Sequence, residues 1–145
     1  MTTDTLHLPE RCVSFMLEGE CFGVDVLQVR EVLDRPEVTS VPGSCTACIG
    51  VINLRGRILT VLDLRQLLGL SPSDDMSDHL LVIEHQGRML GLIVDSVGDV
   101  VNLDPDADTT PPTAGRDTPN VMTMIHNGSQ FVALLDLNRV LENVA

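Results

Sequence analysis

A chain of 145 residues with 43% hydrophobic content is long enough to bury one core, or two very small lobes sharing one. Its formal net charge is −12 and phenylalanine, in three copies, is its only aromatic type, so it offers neither a base-stacking platform nor clustered cations, and nucleic acid is excluded as a partner class. All nine basic residues are arginine, which removes Schiff-base chemistry and phosphate binding by a Walker lysine.

Met1 to Glu10 is polar, ends in Leu8-Pro9 and reads as a flexible N-terminal arm over residues 1–10. Cys12 to Leu17 and Glu20 to Val24 read as strands around a turn at Glu18-Gly19, and Val26, Val29 and Val32 continue an apolar face until Asp34-Arg35-Pro36 breaks it. Val38 to Val41 reads as a short strand, and Pro42-Gly43-Ser44 turns the chain toward Cys45 to Ile49.

The central stretch, Cys48 to Leu70, holds two apolar runs around Arg55-Gly56-Arg57, where Gly56 supplies the positive φ of a tight hairpin. Asp63 ends the second run and caps a short helix, with Gln66 three residues on completing a capping box and Gly69 stopping the helix. No acidic residue lies between Ile49 and Leu62, so Arg55 has no obvious local carboxylate and is expected to be free for a partner, whose carboxylate its fork can engage bidentately.

Ser71 to Asp78 is a polar connector. Leu80 to Ile83 and Met89 to Val94 bracket a turn at Gln86-Gly87, and Gly91 to Val94, apolar on both faces, reads as a strand buried between lobes. Asp104 to Asn120, with four prolines and four aspartates, reads as an exposed loop without elements. Val121 to Ile125 and Gln130 to Leu135 flank the hairpin signal Asn127-Gly128, and Asp136 caps a C-terminal helix expected to run through Val144.

This order is an internal repeat. Phe22–Val32 laid on Leu90–Val100 matches at Gly23/Gly91, Val26/Val94, Val29/Val97 and Val32/Val100. Ile58–Leu68 laid on Phe131–Leu141 matches at Leu62/Leu135, Asp63/Asp136, Leu64/Leu137 and Leu68/Leu141. The offsets are 68 and 73, the extra residues falling at the Pro-rich loop. Each half is then a set of hairpins with one short helix, which gives an all-β protein with short helices in two barrel-like lobes.

The pattern Gly50-Val51-Ile52-Asn53-Leu54-Arg55-Gly56-Arg57-Ile58-Leu59, followed by Val61-Leu62-Asp63-Leu64-Arg65, resembles the central signature of the CheW family, adaptors of bacterial chemotaxis arrays. Phe22 to Val32 and Gly91 to Val100 are similar to that family's flanking segments, in the right order, and the likeness runs from about Arg11 to the C-terminus. The resemblance implies a single domain over residues 11–145 made of two five-stranded SH3-like β-barrel lobes. We expect lobe one over roughly 11–70 and lobe two over roughly 79–145, with exchange of strands between them left open.

The resemblance further implies a non-catalytic scaffold that docks on the cytoplasmic tip of methyl-accepting chemoreceptors and on the regulatory domain of the histidine kinase CheA. By resemblance Arg55, Val29 and Glu31 lie in a receptor-facing groove, with Val26, Val38, Gly50 and Arg57 as weaker contact candidates. Asp63, Gly56, Asp136 and Gly128 are structural caps and turns. An adaptor of the same fold in a pilus or developmental pathway is the alternative.

Catalytic and metal chemistry find little support. Asp95-Ser96-Val97-Gly98 is close to an aspartic-protease loop, but its glycine is one residue late and the repeat aligns Asp25 with Ile93, so the two acids are not symmetry mates. A small hydrolase using the acids from Asp95 to Asp99 is the rival from another class. Cys45 and Cys48 have metal or redox spacing but no second pair, and His79 and His85 stand at the ends of one strand, so no metal and no cofactor are expected. Without an apolar run of membrane length or a leader, no direct membrane insertion is expected; the expected location is the cytoplasm, at receptor arrays through partners, with the cysteines as reduced thiols.

Overall fold

Three hairpins turn on one backbone code, a non-glycine residue followed by glycine, both at positive φ: Glu18-Gly19 at 50° and 78°, Arg55-Gly56 at 50° and 84°, Gln86-Gly87 at 52° and 79°. Two successive positive φ values make a type I′ turn, whose twist matches that of the strands it joins. The structure, a computed structural model, describes residues 9–34, 37–41, 47–70, 79–103, 109–110, 121–127 and 130–142. Pro42 to Cys45, the 71–78 connector, Gly128 and most of Asp104 to Asn120 therefore lie outside the described residues, as does the arm up to Leu8.

The strands are β1 (Arg11–Leu17), β2 (Glu20–Asp25), β3 (Val29–Asp34), β4 (Cys48–Leu54) and β5 (Arg57–Asp63), followed by helix α1 (Leu64–Leu67). Then come β6 (His79–His85), β7 (Arg88–Val94), β8 (Ser96–Asn102), β9 (Thr109–Thr110), β10 (Val121–Asn127), β11 (Gln130–Leu135) and helix α2 (Leu137–Val140). A 3-10 turn at Val26–Gln28, capped by the Asp25 carboxylate accepting from the Leu27 N–H at 3.0 Å, joins β2 to β3.

One sheet has the order β3-β6-β7-β5-β4; the other has β8-β1-β2-β11-β10, extended by the two-residue β9. Both sheets draw on both halves of the chain, so the lobes are not the contiguous segments 11–70 and 79–145. Strands β1 and β2 pair with β8 and β11 in the sheet that holds β10, while β6 and β7 pair with β3 and β5 in the sheet that holds β4, a reciprocal exchange. The register repeats the sequence offsets. Parallel β11 and β2 align Ala133 with Phe22 and Leu134 with Gly23; parallel β5 and β7 align Thr60 with Leu90 and Val61 with Gly91.

Alternation along the exchanged strands explains why both of their faces are apolar. On β6, Leu80 and Val82 point into the core of one lobe, whereas Leu81 and Ile83 join Phe15, Leu17, Val24, Leu92 and Val94 in a cluster shared by both sheets. On β1, Cys12 faces the other lobe's core with Val132 and Leu134, while Val13 and Phe15 face the shared cluster. Val94 is fully buried, as the apolar Gly91–Val94 run requires. At the β7 to β8 crossover, Asp95 Oδ2 accepts from the Glu18 N–H at 2.9 Å and from Arg65 Nη2 at 2.6 Å, tying the β1–β2 turn to α1.

Several local expectations are corrected. Val38 to Val41 makes only an isolated bridge, Thr39 with Val51, held by two backbone hydrogen bonds of 2.8 Å. Within Asp104 to Asn120 the described Thr109–Thr110 forms β9 against β10. The second helix closes at Leu141, whose N–H returns to the Leu137 carbonyl, rather than running to Val144. The capping box is incomplete: the Asp63 carboxylate accepts from the Arg65 N–H at 3.1 Å, but the Asp63 N–H donates to the Ala47 carbonyl, so Gln66 does not take it. Cys48 is disulfide-bonded, with its partner outside the described residues, while Cys12 and Cys21 are free thiols.

Candidate functional site

The Arg55-Gly56 turn lies between β5 and β4 at one edge of its sheet, and Glu31 lies on β3 at the opposite edge. In a flat sheet three to four strand spacings, roughly 14–19 Å, would separate them. Yet Arg55 Nη1 donates to Glu31 Oε2 at 2.7 Å and Nη2 to Oε1 at 2.9 Å, a fork-to-fork ion pair. The sheet must therefore curl until its first and last strands approach, as the wall of a small barrel does. The expectation that Arg55 lacks a carboxylate of its own is corrected: the acid is 24 residues upstream and reaches the turn through curvature.

Local chemistry holds this geometry. Asn53 Oδ1 accepts the Gly56 N–H at 2.9 Å, fixing the turn that aims Arg55. The Arg55 hydrogen bond lowers the Glu31 carboxyl below the usual glutamate range, and Glu31 raises the Arg55 guanidinium in return. The pair stays open to solvent, Arg55 with 72% of its side chain exposed and Glu31 with 26%. The fork uses two of the five guanidinium N–H groups and leaves the others for an external acceptor.

Val29, two residues before Glu31 on β3, and Val26, in the 3-10 turn before it, are each half-buried against the shared cluster. Between them Leu27 projects into solvent at 76% exposure, an apolar position that the sequence did not single out. On the far side of Glu31, Val32 is also exposed, and Arg30 pairs with Glu84. The structure therefore brings Arg55 onto Glu31, on the segment that also carries Val26 and Val29. Val38 and Gly50 lie elsewhere: Val38 packs on the core of that lobe, and Gly50 is buried beneath the Thr39 carbonyl, where a Cβ would come within 2.1 Å of oxygen. Gly50 is thus a packing position. Arg57 is exposed on β5.

The acids weighed for hydrolysis do not converge. Asp95 is held by Arg65 and Glu18, and the Asp99 carbonyl accepts from Ser14 Oγ at 2.8 Å while its side chain faces outward. His79 contacts Asp34 Oδ1 at 3.1 Å and the Asp95 carbonyl at 3.3 Å. Burial, then Cys21 and Asp25, push the Cys12 thiol up to about 11, which makes it a poor nucleophile. Among the described residues no three His, Cys, Asp or Glu side chains gather as a metal site, and no helix is long and apolar enough to cross a membrane.

Comparison with known proteins places this geometry. Residues 11–145 match the CheW-like domain. The chemotaxis protein CheW of Bacillus subtilis is 29% identical over 144 residues, covering 97% of this chain and 92% of its own. Protein PilI of Pseudomonas aeruginosa is 41% identical over 87 residues, which cover 59% of this chain and 48% of PilI. The crystal structure of the scaffolding protein TtCheW from Thermoanaerobacter tengcongensis superposes with a TM-score of 0.80 at 29% identity, covering 93% of this chain and 94% of that one. With nearly its whole length matched in sequence and in fold, the chain belongs to the CheW family of non-catalytic scaffold proteins.

Proposed function

We propose that the chain is a coupling adaptor that joins the cytoplasmic tip of methyl-accepting chemoreceptors to the regulatory domain of the histidine kinase CheA. The observation that carries this reading is the exposed Arg55–Glu31 fork, set beside the solvent-facing Leu27 and the half-buried Val26 and Val29. A rim of this kind combines an oriented charge pair with apolar area, the composition that sustains a specific protein contact. Arg55 and Glu31 orient the receptor, and Val29 supplies apolar contact. Kinase binding uses a different surface, since an adaptor must hold both partners at once. The chain works in the cytoplasm and reaches receptor arrays through its partners.

A second reading has its own observation. The 41% identity with PilI favours an adaptor of the same mechanism in a pilus-type chemosensory pathway. Capture with the tagged chain from extracts of the source cell, with identification of the bound chains, tests both. Recovery of a flagellar-type receptor and kinase supports the first reading and recovery of a pilus-type set the second; recovery of neither a receptor nor a kinase refutes both.

A further inference from the structure

We infer that the cleft between the β4–β5 and β6–β7 hairpin tips is a second protein-docking surface, whose occupant is an acidic segment of another protein with an apolar side chain among its carboxylates. Strands β5 and β7 run side by side and parallel, Thr60 opposite Leu90, so their turn-proximal ends fall together and Arg57, Ile58, Arg88 and Met89 line one cleft. Its cations are distinctive. Of the described arginines, Arg30, Arg55, Arg65 and Arg139 each have an acidic partner, with Glu84, Glu31, Asp95 and Asp136. Arg11, Arg57 and Arg88 have none among the described residues, although the chain carries a net charge of −12, and of these three Arg57 and Arg88 share the cleft.

The apolar part is equally placed. Ile58 stands 65% exposed, next to Arg57 in sequence and lining the same cleft as Arg88, one of the largest exposures of any large apolar side chain described. A lone exposed isoleucine needs no explanation, but one flanked by two unpaired guanidinium groups matches an acidic and apolar segment in both respects. The overall negative charge does not forbid such a partner, because charges farther off than about 8 Å are screened at physiological ionic strength.

This inference rests on the adaptor reading, and a single set of measurements separates the two. The probe is a synthetic peptide of about twelve residues with leucine flanked by glutamates, titrated into the full chain and followed by backbone amide NMR. Shifts confined to residues 57–60 and 87–90, abolished in Arg57→Glu/Arg88→Glu and absent with a lysine-for-glutamate peptide, are expected. A binding constant at least tenfold weaker at 500 mM than at 50 mM salt is also expected. Unmoved residues at 1 mM peptide, equal shifts with the lysine peptide, the same shifts with inorganic phosphate alone, or shifts that follow protein concentration without peptide would each overturn the inference. On the same preparation, wild-type binding to a soluble receptor fragment and to the kinase regulatory domain is recorded. If neither binds, the adaptor reading fails; if both bind while the cleft stays silent, only the cleft assignment fails.

Discussion

Arg65 and Asp95 form an ion pair at 2.6 Å where the chain crosses from one lobe to the other, with the guanidinium 18% exposed and the carboxylate 29%. Asp95 raises the Arg65 guanidinium by direct hydrogen bonding, against the opposing effect of burial. Because Asp95 also holds the Glu18 N–H, this single carboxylate fixes α1, the crossover and the β1–β2 turn relative to one another. Asp95→Ala would strand a largely buried cation whose Nε already lacks a partner. A loss of about 1–3 kcal/mol is expected by urea denaturation, and replacing both residues with leucine should cost less than removing Asp95 alone.

Val94→Asp should unfold the protein. The side chain is fully buried in the cluster shared by both sheets, where a carboxylate has no cation and its desolvation costs several kcal/mol. Circular dichroism and solubility decide it; a soluble mutant with wild-type melting would place β7 at a surface.

Gly50→Ala should lift the segment around Thr39 from β4, since the new methyl would sit 2.1 Å from the Thr39 oxygen that accepts the Val51 N–H. Faster hydrogen exchange at Thr39 and Val51, with the β6–β7 amides unchanged, is the expected pattern. Wild-type exchange at both amides would show that the backbone relaxes around the methyl.

The hairpins were legible because each announces itself locally: Glu18-Gly19, Arg55-Gly56 and Gln86-Gly87 occupy the turns that their spacing implies. The repeat was legible too, and its offsets reappear as strand register through Gly23 and Gly91. Strand exchange was not, because a strand with two apolar faces reads the same whichever lobe it joins, as Leu80 to Ile83 shows. Nor was the Arg55 partner, since a local search for acids ends at Ile49 while the carboxylate arrives on β3 through sheet curvature. Val29, Glu31 and Arg55 were grouped by family resemblance, and Leu27 was missed because an exposed leucine in a 3-10 turn leaves no periodic trace.

Glu31 should titrate below the ordinary glutamate range, because the Arg55 fork favours its charged form. For a depressed folded value, the linked stability is present above the unfolded-state value and is lost as pH falls through the folded one, so only acidic solutions weaken the pair. Side-chain carboxyl NMR on wild type and Arg55→Ala checks the sign. The midpoint should rise in the mutant, and an unchanged midpoint would mean that the fork does not persist in solution.

The adaptor account is tested most directly by titrating the chain with a soluble receptor-tip fragment, with the kinase regulatory domain and with both together, for wild type and Arg55→Ala. Wild type should bind each and form a ternary complex. Arg55→Ala should weaken the receptor arm by about tenfold or more, as loss of one partner in a hydrogen-bonded charge contact does, while leaving kinase binding within about twofold. Its melting temperature should stay near wild type, since an exposed ion pair contributes little to folding. Failure of wild type to hold both partners at once would contradict the account, as would an Arg55→Ala protein that binds the receptor fragment normally.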